Sequence, residues 1–144
     1  MKGDADCGLM PEAAQAILAD NFAPWVLDLG LTVDSVGVGN AVLRMPWSER
    51  LVRMGGTICG QALMSAADTA MVIALSGAFG GFRPVTTVSL NVTFMRPIAK
   101  GPVRVEGRVL RLGKTLAFGE VALRAEGEER PAVHATTTYA ILLG

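Results

Sequence analysis

The stretch TICGQALMSAADTAMVIALSG, residues 57–77, decides most of what this chain can become. It is apolar on nearly every side of a helix, and such a helix must be covered over most of its surface. Lipid is a poor cover. The wider run from Ile58 to Phe82 carries Gln61, Ser65, Asp68 and Thr69 at mid-span. An aspartate at the centre of a membrane span opposes insertion by roughly 2.5–3.5 kcal/mol. Glycines at 77, 80 and 81 then interrupt the run. Protein must therefore bury it.

The rest of the chain supplies the cover. Residues 11–29 read as a short N-terminal helix, with Pro11 at its start and Pro24 ending or kinking it. Leu31–Val38 and Ala41–Pro46 alternate loosely about GVGN, a hairpin turn. SERLVRMGG leads into the apolar helix, expected to start near Thr57–Gly60 and to stop near Gly77. Everything after it is strand. VTTVSLNVTFM alternates, with Val88, Leu90, Val92 and Phe94 on one face and Thr87, Ser89, Asn91 and Thr93 on the other. PVRVEGRVLRL, KTLAFGEVALRAE and PAVHATTTYAILL follow, and the short separators IAKG, GK and EGEER demand antiparallel neighbours. The expected architecture is α+β: a curved antiparallel sheet wrapped around a central helix of about residues 58–76. One domain over residues 1–144 is expected, with 1–29 as an N-terminal segment.

With 51% hydrophobic and 18% charged residues, part of the apolar surface is expected to be hidden between subunits. Thirteen basic and thirteen acidic residues cancel, which argues against nucleic acid or an anionic membrane as partner. Cys7 and Cys59 form no disulfide framework and no metal-ligand spacing, and His134 is the single histidine. The N-terminus MKGDADCGLM is no signal peptide, so a soluble, cytoplasmic protein is expected.

Asp68 is the residue that needs a reason. A buried carboxylate costs several kcal/mol unless paired, hydrogen-bonded or wetted. At 100° per residue, Gln61, Ser65 and Asp68 fall within about 60° of one another, and Thr69 extends the stripe. Such a seam serves either a structural polar network or a site. No basic residue on the helix pairs Asp68, and Gly55, Gly56 and Gly60 flank the helix start. Free N–H groups there suit an oxygen that becomes negative, although glycines in that position also make plain turns. With the acid further along the helix, the pattern fits acyl chemistry.

GTICGQALMSAADTA, TTVSLNVTFMRPIAKGPV and GKTLAFGEVAL together resemble the hot-dog-fold thioesterases of the phenylacetate-degradation (PaaI) type, over roughly residues 20–143. The resemblance implies hydrolysis of an acyl-coenzyme A thioester. Asp68 would be base or nucleophile, the Gly60 N–H the oxyanion donor, and Thr87 the hydroxyl that positions water or acid. In that family a His-Gly-Gly precedes the acid, which stands eight positions after the first glycine. Here those positions are Cys59, Gly60 and Gln61, and Arg53 stands where asparagine is common. The MGG at 54–56 lies too far from Asp68 to be the motif. Arg53, Cys59 and Gln61 thus border the expected substrate site. A Cys59 nucleophile lacks a histidine nearby in sequence, and His134 is expected on a sheet face or an interface.

Coenzyme A brings three phosphates. Arg111 and Lys114 bracket Gly113 in a turn that the resemblance makes a phosphate contact, and Arg96 and Lys100 flank Pro97. No metal or redox cofactor is implied; coenzyme A enters as part of the substrate. A homodimer at least, and a tetramer by expectation, would carry the site. Two readings stay open beside the thioesterase: a non-catalytic acyl-CoA-binding hot-dog protein, and a hot-dog dehydratase or hydratase. The latter would need a histidine near the helix.

Overall fold

The computed structural model describes residues 8–142; Cys7 lies outside them. Two short helices open the chain, α1 (Pro11–Asn21) and α2 (Pro24–Leu27), each with proline in its first turn. Strands β1 (Thr32–Gly37) and β2 (Asn40–Met45) form the first hairpin. After a 3₁₀ turn at Glu49–Leu51 comes α3 (Gly60–Phe79), then β3 (Val85–Phe94), β4 (Val103–Leu112), β5 (Leu116–Ala125) and β6 (Val133–Ile141). All six strands join one antiparallel sheet in the order β1-β2-β4-β5-β6-β3. The sheet with its central helix is the expected architecture.

Helix α3 lies against one face of this sheet. Ala66, Ala67, Ala70, Met71, Ile73 and Ala74 are fully buried, as are Leu43, Val105, Val121, Leu123, Val133 and Tyr139 of the strands beneath. Small residues on the helix let it approach closely. At Gly119 of β5 an added Cβ would collide with Met71, so the sheet is notched to receive that side chain. The longest apolar run in the chain is therefore covered by strands.

The helix runs past Gly77, the expected stop, to Phe79. Its left-handed cap is Gly80, φ +80°, whose N–H donates to the Ser76 carbonyl. Gly77 is helical and buried. A Cβ there would meet the Gly37 carbonyl oxygen of β1. Close backbone approach, rather than termination, requires that glycine.

A second departure lies in β3. Thr87 pairs with Tyr139 and Ser89 with Thr138, so Val88 is an extra residue in a β-bulge. Val88 is 59% exposed instead of sharing the inner face with Leu90. The parity of the strand changes there, and Thr87 turns to the helix side with Leu90, Val92 and Phe94, opposite to the face that strict alternation assigns it.

The two edges of the sheet differ. At β1, the Gln15 side chain of α1 accepts from Val33 N–H at 2.8 Å and donates to the Leu31 carbonyl at 3.0 Å, standing in for a neighbouring strand. At the other edge lies the ten-residue β3, paired only with β6 among the described strands.

Candidate active site

Asp68 sits in the third turn of α3, half-buried. Two hydroxyls from neighbouring strands meet its carboxylate. Tyr139 of β6 donates to Oδ1 at 2.7 Å; Thr87 of β3 lies 3.0 Å from Oδ1 and 3.3 Å from Oδ2. Thr87 and Tyr139 are cross-strand partners, so one row of the sheet presents both donors. Oδ1 takes both short contacts, which leaves Oδ2 the freer oxygen. The phenol is fully buried; that burial, with the charge of Asp68 and the hydrogen bond to it, pushes the Tyr139 pKa well above its usual range. Tyr139 therefore stays a proton donor to the carboxylate at any ordinary pH.

Sequence reasoning missed Tyr139. Its signal was present: it is the only tyrosine, and the alternation of β6 puts it on the face of Val133, Ala135 and Ile141. A buried phenol on that face needs a partner, and the acid on the facing helix is one.

The exposed stripe of α3 also differs in membership. Thr69 is buried with its hydroxyl donated to the Ser65 carbonyl at 2.8 Å. Met64, 37% exposed, joins Gln61, Ser65 and Asp68 instead.

The helix start is held by two hydrogen bonds, Ile58 N–H to the Ile98 carbonyl at 2.9 Å and Cys59 N–H to the Leu51 carbonyl at 2.8 Å. Gly55 and Gly56 take positive φ in the turn before it and are not part of the helix start. Gly60 is the first helical residue, so its N–H has no carbonyl to meet within the helix. A Cβ there would come within 3.2 Å of the Phe94 ring. Gly60 lines a cleft of about 420 Å³ with Arg53, Thr57, Phe94 and Arg96. Arg53 donates back to the Met54 carbonyl at 2.7 Å. Cys59, a free thiol, and Gln61 lie in a different cleft, with Arg50 and Trp25.

Within one chain the structure does not bring Gly60 beside Asp68. Gly60 is near Phe94 at the far end of β3, whereas Asp68 is at Thr87. Eight residues of helix separate them, about 12 Å at 1.5 Å per residue.

The β4–β5 turn is tight, with the Gly113 N–H donating to the Leu116 carbonyl at 2.8 Å. Arg111 and Lys114 flank it, exposed and without a carboxylate partner among the described residues. They lie at the Tyr139 end of the sheet, since Ala117 pairs with both Tyr139 and Leu112, but they do not line the cleft at Asp68. Lys100 stacks over Trp47 at 5.4 Å. His134 is on the outer face, 3.2 Å from Glu120, which also pairs with Arg108; that arginine and histidine hold the Glu120 pKa below the usual carboxylate range. The sheet separates His134 from Asp68, so the chain lacks the histidine–acid pair of a hydratase.

Residues 55–132 match the model of the thioesterase superfamily. The chain belongs to the thioesterase superfamily. Among relatives of this thioesterase is a protein of Thermoplasma volcanium named "Putative esterase TV1331", 38% identical over 109 residues, or 70% of this chain and 74% of the relative. A solved structure described as a putative thioesterase from Silicibacter sp. TM1040 is 29% identical with TM-score 0.83, over 94% of this chain and 93% of that one. The E. coli PaaI protein from the phenylacetic acid degradation operon matches with TM-score 0.81 at 19% identity, over 92% and 93% of the two chains, and so shares the hot-dog fold. The thioesterase is a hydrolase that acts on thioesters or related esters.

Proposed function

We propose that this thioesterase hydrolyses an acyl-coenzyme A thioester to the free acid and coenzyme A, with Asp68 as its base or nucleophile. The observation that carries the reading is the Asp68 carboxylate gripped by Tyr139 and Thr87 with Oδ2 left freer. In the base route Oδ2 takes a proton from water as the hydroxide oxygen adds to the thioester carbon. The carbonyl oxygen becomes an oxyanion on the Gly60 N–H, its collapse breaks the C–S bond, and the thiolate takes the proton that Asp68 held, which restores the carboxylate. Neither a metal nor a redox cofactor has a step in it.

Gly60 and Asp68 serve one carbonyl only if two chains share the site, because donor and acid must each lie about 3 Å from the reacting group. The edge strand β3 supports that reading. A two-fold axis through its middle, near Leu90 and Asn91, would pair β3 with its copy and carry the Thr87 end of one chain to the Phe94 end of the other. Asp68 of each chain would then face the Gly60 of its mate, giving two sites per dimer. The thioesterase is accordingly a homodimer, paired again into a tetramer, and works in the cytoplasm on a small molecule, without nucleic acid or membrane. Arg111, Gly113 and Lys114 take a phosphate of coenzyme A.

The test is steady-state release of free thiol from a panel of acyl-coenzyme A esters and the matching pantetheine thioesters, beside release of the free acid from the corresponding oxygen esters. Thiol release that disappears in Asp68→Asn supports the proposal. Turnover of oxygen esters alone would make the chain an esterase. Equal use of coenzyme A and pantetheine substrates would remove the phosphate contact.

A further inference from the structure

The segment from α1 to α2 faces the exposed stripe of α3. One end of it is fixed at the sheet, where Gln15 accepts from Val33 N–H at 2.8 Å and donates to the Leu31 carbonyl at 3.0 Å. The other end overlooks the site. Phe22, the C-cap of α1, lines with Trp25 and Val26 a cleft of about 330 Å³ that also holds Asp68, Gln61 and Ser65. Little else ties α1 down. Of its residues only Ala14 and Leu18 are buried. Glu12, Asp20 and Asp28 make no ion pair among the described residues.

We propose that Gln15 is a positioning residue for the hydrolysis: it locks α1 to the edge of β1 and so fixes where Phe22 and the turn after it stand over Asp68. The inference rests on Asp68 acting at the thioester carbonyl. Apolar burial has no direction, so Ala14 and Leu18 hold α1 to the protein without setting its register. Hydrogen bonds have direction. A slip of α1 along β1 leaves the Gln15 amide, the Leu31 carbonyl and the Val33 N–H without their partners. Seven residues separate Gln15 from Phe22, about 10 Å of helix, and seven steps of 100° return to within about 20° of the same face. The Phe22 N–H, bonded to the Leu18 carbonyl at 3.3 Å, keeps Phe22 on the end of that helix. Helix α1 thus carries the register of the sheet edge to the cleft. A slip by one residue, about 1.5 Å, moves Phe22 by the same amount. A thioester seated against it is then displaced from Asp68, and misplacement by about 1 Å can cost a hundredfold in rate.

The experiment uses Gln15→Met, which keeps an unbranched helix-forming side chain of similar length and removes both hydrogen bonds. Kinetics are run with an acyl-coenzyme A ester that the wild type hydrolyses, well below the unfolding temperature of both proteins. The variant's kcat is expected to fall at least about tenfold. Its KM should change less than about twofold, because the proposed coenzyme A contacts at Arg111 and Lys114 lie outside this cleft. Hydrogen exchange followed by mass spectrometry should be at least about tenfold faster over residues 17–27 and unchanged in β5. A kcat equal to the wild type's overturns the proposal even if the melting temperature drops, since a loss of stability alone leaves the folded enzyme's kcat intact. So does unaltered exchange of residues 17–27, which would show that α1 needs no clasp. A raised KM at wild-type kcat also overturns it, for the segment would then only bind. If circular dichroism shows Gln15→Met misfolded, Gln15→Asn answers in its place: its amide keeps donor and acceptor but is one methylene too short to reach both Leu31 and Val33. Absence of thioester turnover in the wild type overturns the reading of Asp68, and the role in hydrolysis with it; exchange then reports separately on whether Gln15 holds α1.

Discussion

Asp68→Asn keeps the size of the side chain and its acceptor for Tyr139 but removes its charge, basicity and nucleophilicity. Thioester turnover is expected to fall at least about a hundredfold with the fold retained; a wild-type rate would take Asp68 out of the mechanism. Thr87→Ala is expected to cost less, because Oδ1 keeps the hydrogen bond from Tyr139. Tyr139 lends itself to a second prediction, one of stability. Its pKa is raised in the folded chain, by burial first and by Asp68 next. Once the pH passes about 10, the unfolded chain loses the phenolic proton and the folded chain keeps it. The unfolded state then binds fewer protons, so stability declines as pH rises. Tyr139→Phe should flatten that decline in urea titrations between neutral and strongly alkaline pH, and an identical slope in both proteins would contradict the shift. At this scale the residues disclosed the acid and the family resemblance pointed to the hydroxyl of Thr87, but neither gave the phenol, whose role depends on which strand lies under Asp68.

Elements meet the same limit. The apolar run of α3 and the strand pattern after it were legible because both periods are local. The helix end was misjudged at Gly77, since glycine serves equally as a stop signal and as a place where two backbones come together. Gly77→Ala tests the second role. A Cβ against the Gly37 carbonyl oxygen must push β1 from the helix, so a loss of about 1–3 kcal/mol is expected in chemical denaturation. A neutral or stabilising effect, as for an ordinary helical glycine, would show that β1 yields easily. The bulge at Val88 was equally hidden. Alternation alone put Thr87 on the face away from Leu90, and only pairing with β6 reveals the extra residue that turns it inward.

For the whole molecule, the shared-site model predicts complementation. Asp68→Asn abolishes the acid in one chain, and Gly60→Pro removes the N–H in another. In a mixed dimer one site collects both defects and the other none. With random pairing half the dimers are mixed, so about a quarter of wild-type activity should return from two inactive parents. Subunit exchange is followed by mass spectrometry of differently tagged chains, and both variants must fold. Proven exchange without recovery would require the donor and the acid to be reassigned within one chain.

The sequence by itself determined that a long apolar helix carrying Asp68 would be buried by antiparallel strands, because amphipathic period and connection length are local properties of the chain. It also placed the start of that helix near Thr57–Gly60, where the first amides lack partners whatever surrounds them, and the family resemblance singled out Gly60 among them. Only the tertiary structure decided that Tyr139 and Thr87 stand side by side under Asp68, that Gly77 is a contact and not a stop, and that Trp25 overlooks the carboxylate. Each of these joins residues far apart in the chain, through a strand register, a bulge or a helix crossing. Such juxtapositions depend on how every side chain packs at once.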